Sequence, residues 1–151
     1  MNEKIKYLTQ TFIDQLQTLK SDDTGQWGVM KAQHMVEHMS YSVKVAHGAI
    51  PVTLVTPAAF LEKTRSFMLS DKPFKENTKN TMLPDEPLPL MFDNMQQAIE
   101  DLQLQIQLFI NDFNVEGKTR LNPFFGELNF VQWLHLLDKH AKHHARQFNL
   151  L

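Results

Sequence analysis

Residues 129–148, NFVQWLHLLDKHAKHHARQF, contain no glycine or proline, so nothing in them forces a break in a helix. Asn129 is an N-cap residue type, and Gln132 three residues on completes the pattern of a capping box. The 3-4-3-4 seam of that helix runs Trp133, Leu137, His140, His144, Gln147. Its upper half is what a core requires. Its lower half places two imidazoles one turn apart, about 6 Å along the axis and on one face. A chain folded around this helix must therefore accommodate two ring nitrogens where it would otherwise bury hydrocarbon. Two readings stay open: hydrogen-bonded interior histidines, or a metal site whose third ligand comes from elsewhere in the chain. His135, Lys139, Lys142 and Arg146 fall on another stripe, read as the wet face. His143 with Arg146 suits the negative end of the helix dipole.

The other segments supply partners for such a helix. Ile5, Leu8, Phe12, Leu16 and Leu19 recur at helical spacing over residues 3–19. Residues 21–28, SDDTGQWG, form a breaker-rich turn, with Trp27 expected to plug one end of the core. A second helix is expected over residues 30–46, with Ala32, Met35, Met39, Val43 and Ala46 on one apolar flank. His38 stands beside that flank, His34 lies further toward the polar side, and Tyr41 follows one turn after His38. Thr56-Pro57 predicts a cap and first helical position for a shorter helix ending near residue 69, whose Met and Phe side chains are expected in the core, the alternative being the entrance of a pocket. Residues 71–89 carry four prolines and are expected to form a long loop, either functional, such as a lid, or mobile. Leu88, Phe92, Met95, Ile99, Leu102, Ile106, Phe109 and Phe113 then alternate by four and three, predicting a helix over residues 90–113. Within it LQLQIQL also alternates with period two, but the uninterrupted length favours the helix. Gly117 closes that helix. Residues 121–128 are expected to be a loop in which Phe124 and Phe125 cover the end of the core.

These elements predict an all-α single domain over residues 1–151, a four-helix bundle with one extra short helix and long loops. Composition removes several functions. There is no cysteine, which excludes disulfides, thiolate nucleophiles and Cys-type zinc sites. The net charge of −2 without a long single-sign run argues against nucleic acid or an anionic membrane as partner. The opening MNEKIKYLTQ lacks an apolar leader core, and no stretch approaches the ~18 apolar residues of a spanning helix. A cytoplasmic protein is expected.

Two motifs add a resemblance. Residues 27–39, WGVMKAQHMVEHM, and residues 122–148, with NPFFGEL, then QW, then KHAKHHARQF, together resemble the DinB/YfiT-like superfamily of metalloenzymes, within it a bacterial branch of unknown function. The resemblance implies a four-helix bundle, often a homodimer, holding a divalent metal, zinc or nickel above all, on three histidines. Carried over, these are His38, His140 and His144. Met39 stands where leucine is more usual, and Asn122 stands where related loops often begin with histidine. His143 and Gln147 are also four apart, which leaves a second register open. Gln147 and Tyr41 are candidates for supporting or substrate contacts, while Glu37 points about 100° away from His38 and reads as a surface charge. Relatives in the superfamily resemble thiol transferases and isomerases that use small cellular thiols, and some are hydrolytic. The resemblance therefore implies a metal-activated transferase, isomerase or hydrolase acting on a small molecule. The rival reading is a non-catalytic helical module that binds a ligand or dimerises, with structural histidines.

Overall fold

A computed structural model describes residues 1–78 and 83–151. The chain is mostly helical, with one small antiparallel sheet. The N-terminal helical run consists of α1 (Asn2–Lys6), a π-helical turn (Tyr7–Thr11) and α2 (Phe12–Leu16). It ends three residues short of the expected boundary. Leu8, Phe12, Ile13 and Leu16 are buried, and Leu19 packs against the core from beyond the helix end. Next come α3 (Ala32–Ala46), α4 (Ala58–Leu69), α5 (Met95–Phe113), the strands β1 (Thr119–Asn122) and β2 (Gly126–Asn129), and α6 (Phe130–Gln147). The period-two stretch LQLQIQL lies wholly inside α5. Among the described residues no helix is long and apolar enough to cross a membrane.

The core lies where α3, α5, α6 and the N-terminal run meet. Met35, Val36, Met39 and Val43 of α3 face inward, as do Ile99, Leu102, Ile106, Phe109 and Phe113 of α5, and Trp133, Leu134 and Leu137 of α6. Phe109 stacks on Phe130 with ring centroids 5.0 Å apart, so the last turns of α5 meet the first residue of α6. The Trp133 indole Nε1 donates to the Arg120 carbonyl at 3.0 Å, which satisfies the polar atom of the largest buried side chain. Helix α5 starts at residue 95 rather than 90 because Asn94 is the cap that wins. Its side chain accepts from the Gln97 N–H at 2.9 Å, and Gln97 Oε1 accepts from the Asp93 N–H. Phe92 packs on the core from before the helix, while Leu88 is exposed.

Three expectations are corrected. Residues 121–128 are not an irregular loop but the turn and strands of a hairpin, with Asn122 opposite Gly126 and Thr119 opposite Asn129. Asn122 Oδ1 accepts from the Phe124 and Phe125 N–H groups, and Gly126 adopts φ +77°. This is the conformational freedom a three-residue hairpin turn takes from glycine. The turn carbonyls of Pro123, Phe124 and Phe125 accept from Val55 N, Thr56 Oγ1 and Arg65 Nε, so the hairpin docks α4. Thr56 therefore bonds away from the helix it was expected to cap, and Pro57 takes the N-cap position. Second, α4 buries only Met68, while Phe60 is 60% and Phe67 42% exposed; the helix lies on the surface rather than in the core. Third, Lys139 on the expected wet stripe is buried, at 7% exposure. Its ammonium donates to the carbonyls of Phe67, Met68 and Ser70 and lies 4.7 Å from the Phe67 ring and 4.9 Å from the Phe74 ring. It thus caps the C-terminal end of α4, where carbonyls lack helical partners.

Candidate metal centre

Helix α6 is fixed at its first residue. The Asn129–Gln132 capping box forms in both directions, at 3.0 Å each way, and Asn129 is also the last residue of β2. Helix rotation is thereby set at the hairpin, and the seam delivers Trp133, Leu137, His144 and Gln147 to the interior, with His140 half-buried between them. Helix α3 brings His38 to the same place. Its Nε2 lies 3.0 Å from His140 Nε2, and His140 Nε2 lies 2.9 Å from His144 Nε2. Among the described residues this is the one cluster of three or more potential ligand side chains, its donor atoms all within 4.8 Å of one another. Two of its members, His38 and His140, are half-buried, while His144 is buried at 4% exposure. The rings that come together are those of His38, His140 and His144, while His143 lies outside the cluster.

Gln147 has a separate part in it. Its Nε2 donates to the Trp27 carbonyl at 2.8 Å. A carbonyl can only accept, so the amide nitrogen must face Trp27 and Oε1 must face His144, 2.7 Å from Nδ1. Nδ1 of His144 therefore carries the proton, and Nε2 presents a lone pair to the cluster centre. Tyr41 is partly buried against the core and makes no hydrogen bond to the three rings among the described residues. Glu37 is half-buried and structural rather than a surface charge: its carboxylate accepts from the Met91 N–H and from Gln33 Nε2, tying α3 to the segment ahead of α5.

The remaining histidines have other partners. His34 Nδ1 accepts from the Lys31 N–H at 3.4 Å in a capping contact, His47 donates to Gln105 Oε1, and His135 donates to the Ser70 carbonyl at 3.4 Å. His143 does more than complement the helix dipole. It packs between Trp27, centroids 5.6 Å apart, and Phe74, 6.2 Å. Trp27 is half-buried and covers His143 rather than plugging the core. Phe74 also meets the His140 ring edge-on at 6.5 Å, so the chain following α4 closes over this side of the site. Residues 79–82 of the expected lid lie outside the described residues. Sequence periodicity had no means of finding Phe74 or Lys139, because both act across a long connection.

Electrostatics keep the rings neutral. Burial, and then the charge of His143, pushes the His38 pKa down to about 4. His140 is lowered well below the usual histidine value, first by burial and then by His144, His38 and His143. His144 is lowered likewise by burial first and by His38, with the Gln147 hydrogen bond acting the other way. Each ring is thus a base held unprotonated at neutral pH, the form in which imidazole binds metals.

The donor set fits a cation on chemical grounds. With the His144 proton on Nδ1, one Nε2–H within the cluster can serve well only one of the two short contacts that His140 makes. With that hydrogen on His38 the His140–His144 contact sets lone pair against lone pair, and with it on His140 one neighbouring lone pair is left without a donor; a cation at the centre would satisfy these lone pairs. The separations of 2.9 and 3.0 Å are a few tenths of an ångström below the ~3.3 Å expected between nitrogens bound at ~2.0–2.1 Å in a tetrahedral site. All three donor atoms lie within 4.8 Å of one another. Two surface cavities lie elsewhere, one of about 430 Å³ along α4 at Leu61, Arg65 and Leu69 and one of about 200 Å³ beside Val131 and His135; His38, His140 and His144 line neither. No protein-family model matches the chain, and no curated protein or solved structure matches it.

Proposed function

We propose that this chain is a metal-dependent enzyme of the DinB/YfiT-like kind, a four-helix bundle that holds a divalent ion, zinc or nickel, on His38, His140 and His144. Its reaction is transfer, isomerisation or hydrolysis on a small molecule, with a low-molecular-weight thiol as the favoured substrate class. The observation that carries the reading is the convergence of three neutral Nε2 atoms, one of them committed to its lone-pair tautomer by Gln147. A divalent ion held by three neutral imidazoles retains its full charge and acidifies a water or thiol bound to it. The residues of the chain do the rest. His38 and His140 are half-buried rather than sealed, and Phe74 and Trp27 place apolar surface on the His143 side.

Metal analysis of protein purified without a histidine tag tests the reading. Near-stoichiometric zinc or nickel is expected, and His144→Ala is expected to lose it while keeping its helical circular dichroism. Wild-type protein that neither carries metal nor is stabilised by added zinc or nickel would overturn the proposal.

A further inference from the structure

The turn between α2 and α3 lies against the last turn of α6, where the Gln26 N–H donates to the Gln147 carbonyl at 2.7 Å. Gly25 and Gly28 flank Trp27 in this turn, and both face Gln147. A Cβ on Gly25 would stand 2.8 Å from Gln147 Cγ, 3.1 Å from the Trp27 carbonyl oxygen and 3.2 Å from the Gln147 carbonyl oxygen. A Cβ on Gly28, whose φ is +77°, would stand 2.9 Å from Gln147 Nε2. Real Cβ atoms do not approach this closely, so the Gln147 side chain occupies space that opens only because both positions lack side chains. The turn also supplies the one acceptor that decides how the amide faces, the Trp27 carbonyl.

We propose that the Gly25–Gly28 turn is an outer clamp of the metal centre, in which the two glycines and the Trp27 carbonyl hold Gln147 as a positioning residue for His144. The inference rests on the reading of His38, His140 and His144 as metal ligands and extends it to a segment that supplies no ligand. The chain of consequence runs through named atoms. The Trp27 carbonyl fixes Gln147 Nε2, Gln147 Oε1 then accepts from His144 Nδ1–H, and Nε2 of His144 points at the cluster with its lone pair. Such partners of a ligand histidine change metal affinity by about 10–100-fold when removed.

The test compares wild type with Gln147→Leu, Gln147→Glu and Gly25→Ala, using zinc alone in competition with a chromophoric chelator and ¹⁵N NMR of the metal-free histidine rings. Gln147→Leu removes the acceptor. Gly25→Ala displaces Gln147 while leaving every ligand and its partner in the sequence. Both are expected to weaken zinc binding by about 10–100-fold and to turn the His144 signal from the Nδ1–H tautomer into a mixture. Gln147→Glu keeps an oxygen for Nδ1–H but loses the donor to Trp27. It is expected to keep the His144 Nδ1–H tautomer yet bind zinc more weakly than wild type, though less so than Gln147→Leu, because the turn no longer holds the side chain; a merely structural role would not separate tautomer from affinity in this way. Unchanged affinity and an unchanged tautomer in Gln147→Leu and Gly25→Ala would overturn the clamp. If wild type binds no zinc, the metal reading fails and the tautomer alone decides the clamp. If Gly25→Ala does not fold, the two Gln147 variants decide it.

Discussion

Lowering the pH of the chelator-treated protein forces protons onto rings that the fold holds neutral, and the cost can be worked out for His38. Its pKa falls from 6.5, the value of a free histidine, to about 4 in the folded chain. Between these values the unfolded chain binds more protons than the folded one, so stability is complete above about pH 6.5 and declines as pH falls toward 4. Over that whole window His38 accounts for about 3 kcal/mol, and at about pH 5 for roughly 2 kcal/mol. His140 and His144 are lowered for the same reason and add to the loss in the same direction. The assay is urea unfolding with chelator present at a series of pH values from about 8 to 4.5, for wild type and His38→Gln. Wild type is expected to lose at least 2 kcal/mol by about pH 5, and the variant about 2 kcal/mol less than that. Wild-type and His38→Gln profiles that run parallel through this window would refute the claim that the fold suppresses protonation of His38.

Two further outcomes test the supports of the site. Lys139→Met keeps the apolar stem but leaves the carbonyls of Phe67, Met68 and Ser70 without their ammonium; a loss of about 3 kcal/mol is expected, read as a melting temperature lower by roughly 6–12 °C. A Lys139→Met protein that melts with wild type would show that this cap contributes nothing. Gly126→Ala imposes a side chain at φ +77° and meets the Arg65 guanidinium at 2.6 Å. The strain of about 1–2 kcal/mol, with the displaced Arg65 bond to Phe125 added, predicts a total near 2–3 kcal/mol in chemical denaturation. A neutral result would mean that the hairpin turn adjusts without cost.

Local pattern carried information wherever one helix face decided the outcome. Trp133, Leu137 and His144 sit inside because α6 has a single apolar seam and a cap at Asn129 that fixes its start. The same logic placed His38 beside Met35 and Met39 on α3. It failed where the deciding contact was distant in sequence. Lys139 reads as solvated until the end of α4 supplies three carbonyls for it, and Phe60 and Phe67 read as core until α4 is seen to lie outside. The hairpin escaped because its strands are four residues each, too short for alternation to be visible, although Asn122 and Gly126 bracket the turn. Trp27 was expected to matter through its ring, and Gln147 is held by its carbonyl, a group that every residue has and that no sequence pattern marks.

His38 and His140 are separated by 102 positions, and His144 follows four positions later still. A chain made only as far as Asn129 therefore displays a single imidazole of the set. The cluster comes into being only when α6 docks against α3. A product clipped ahead of Asn129 would keep His38 and lose both of the rings it meets.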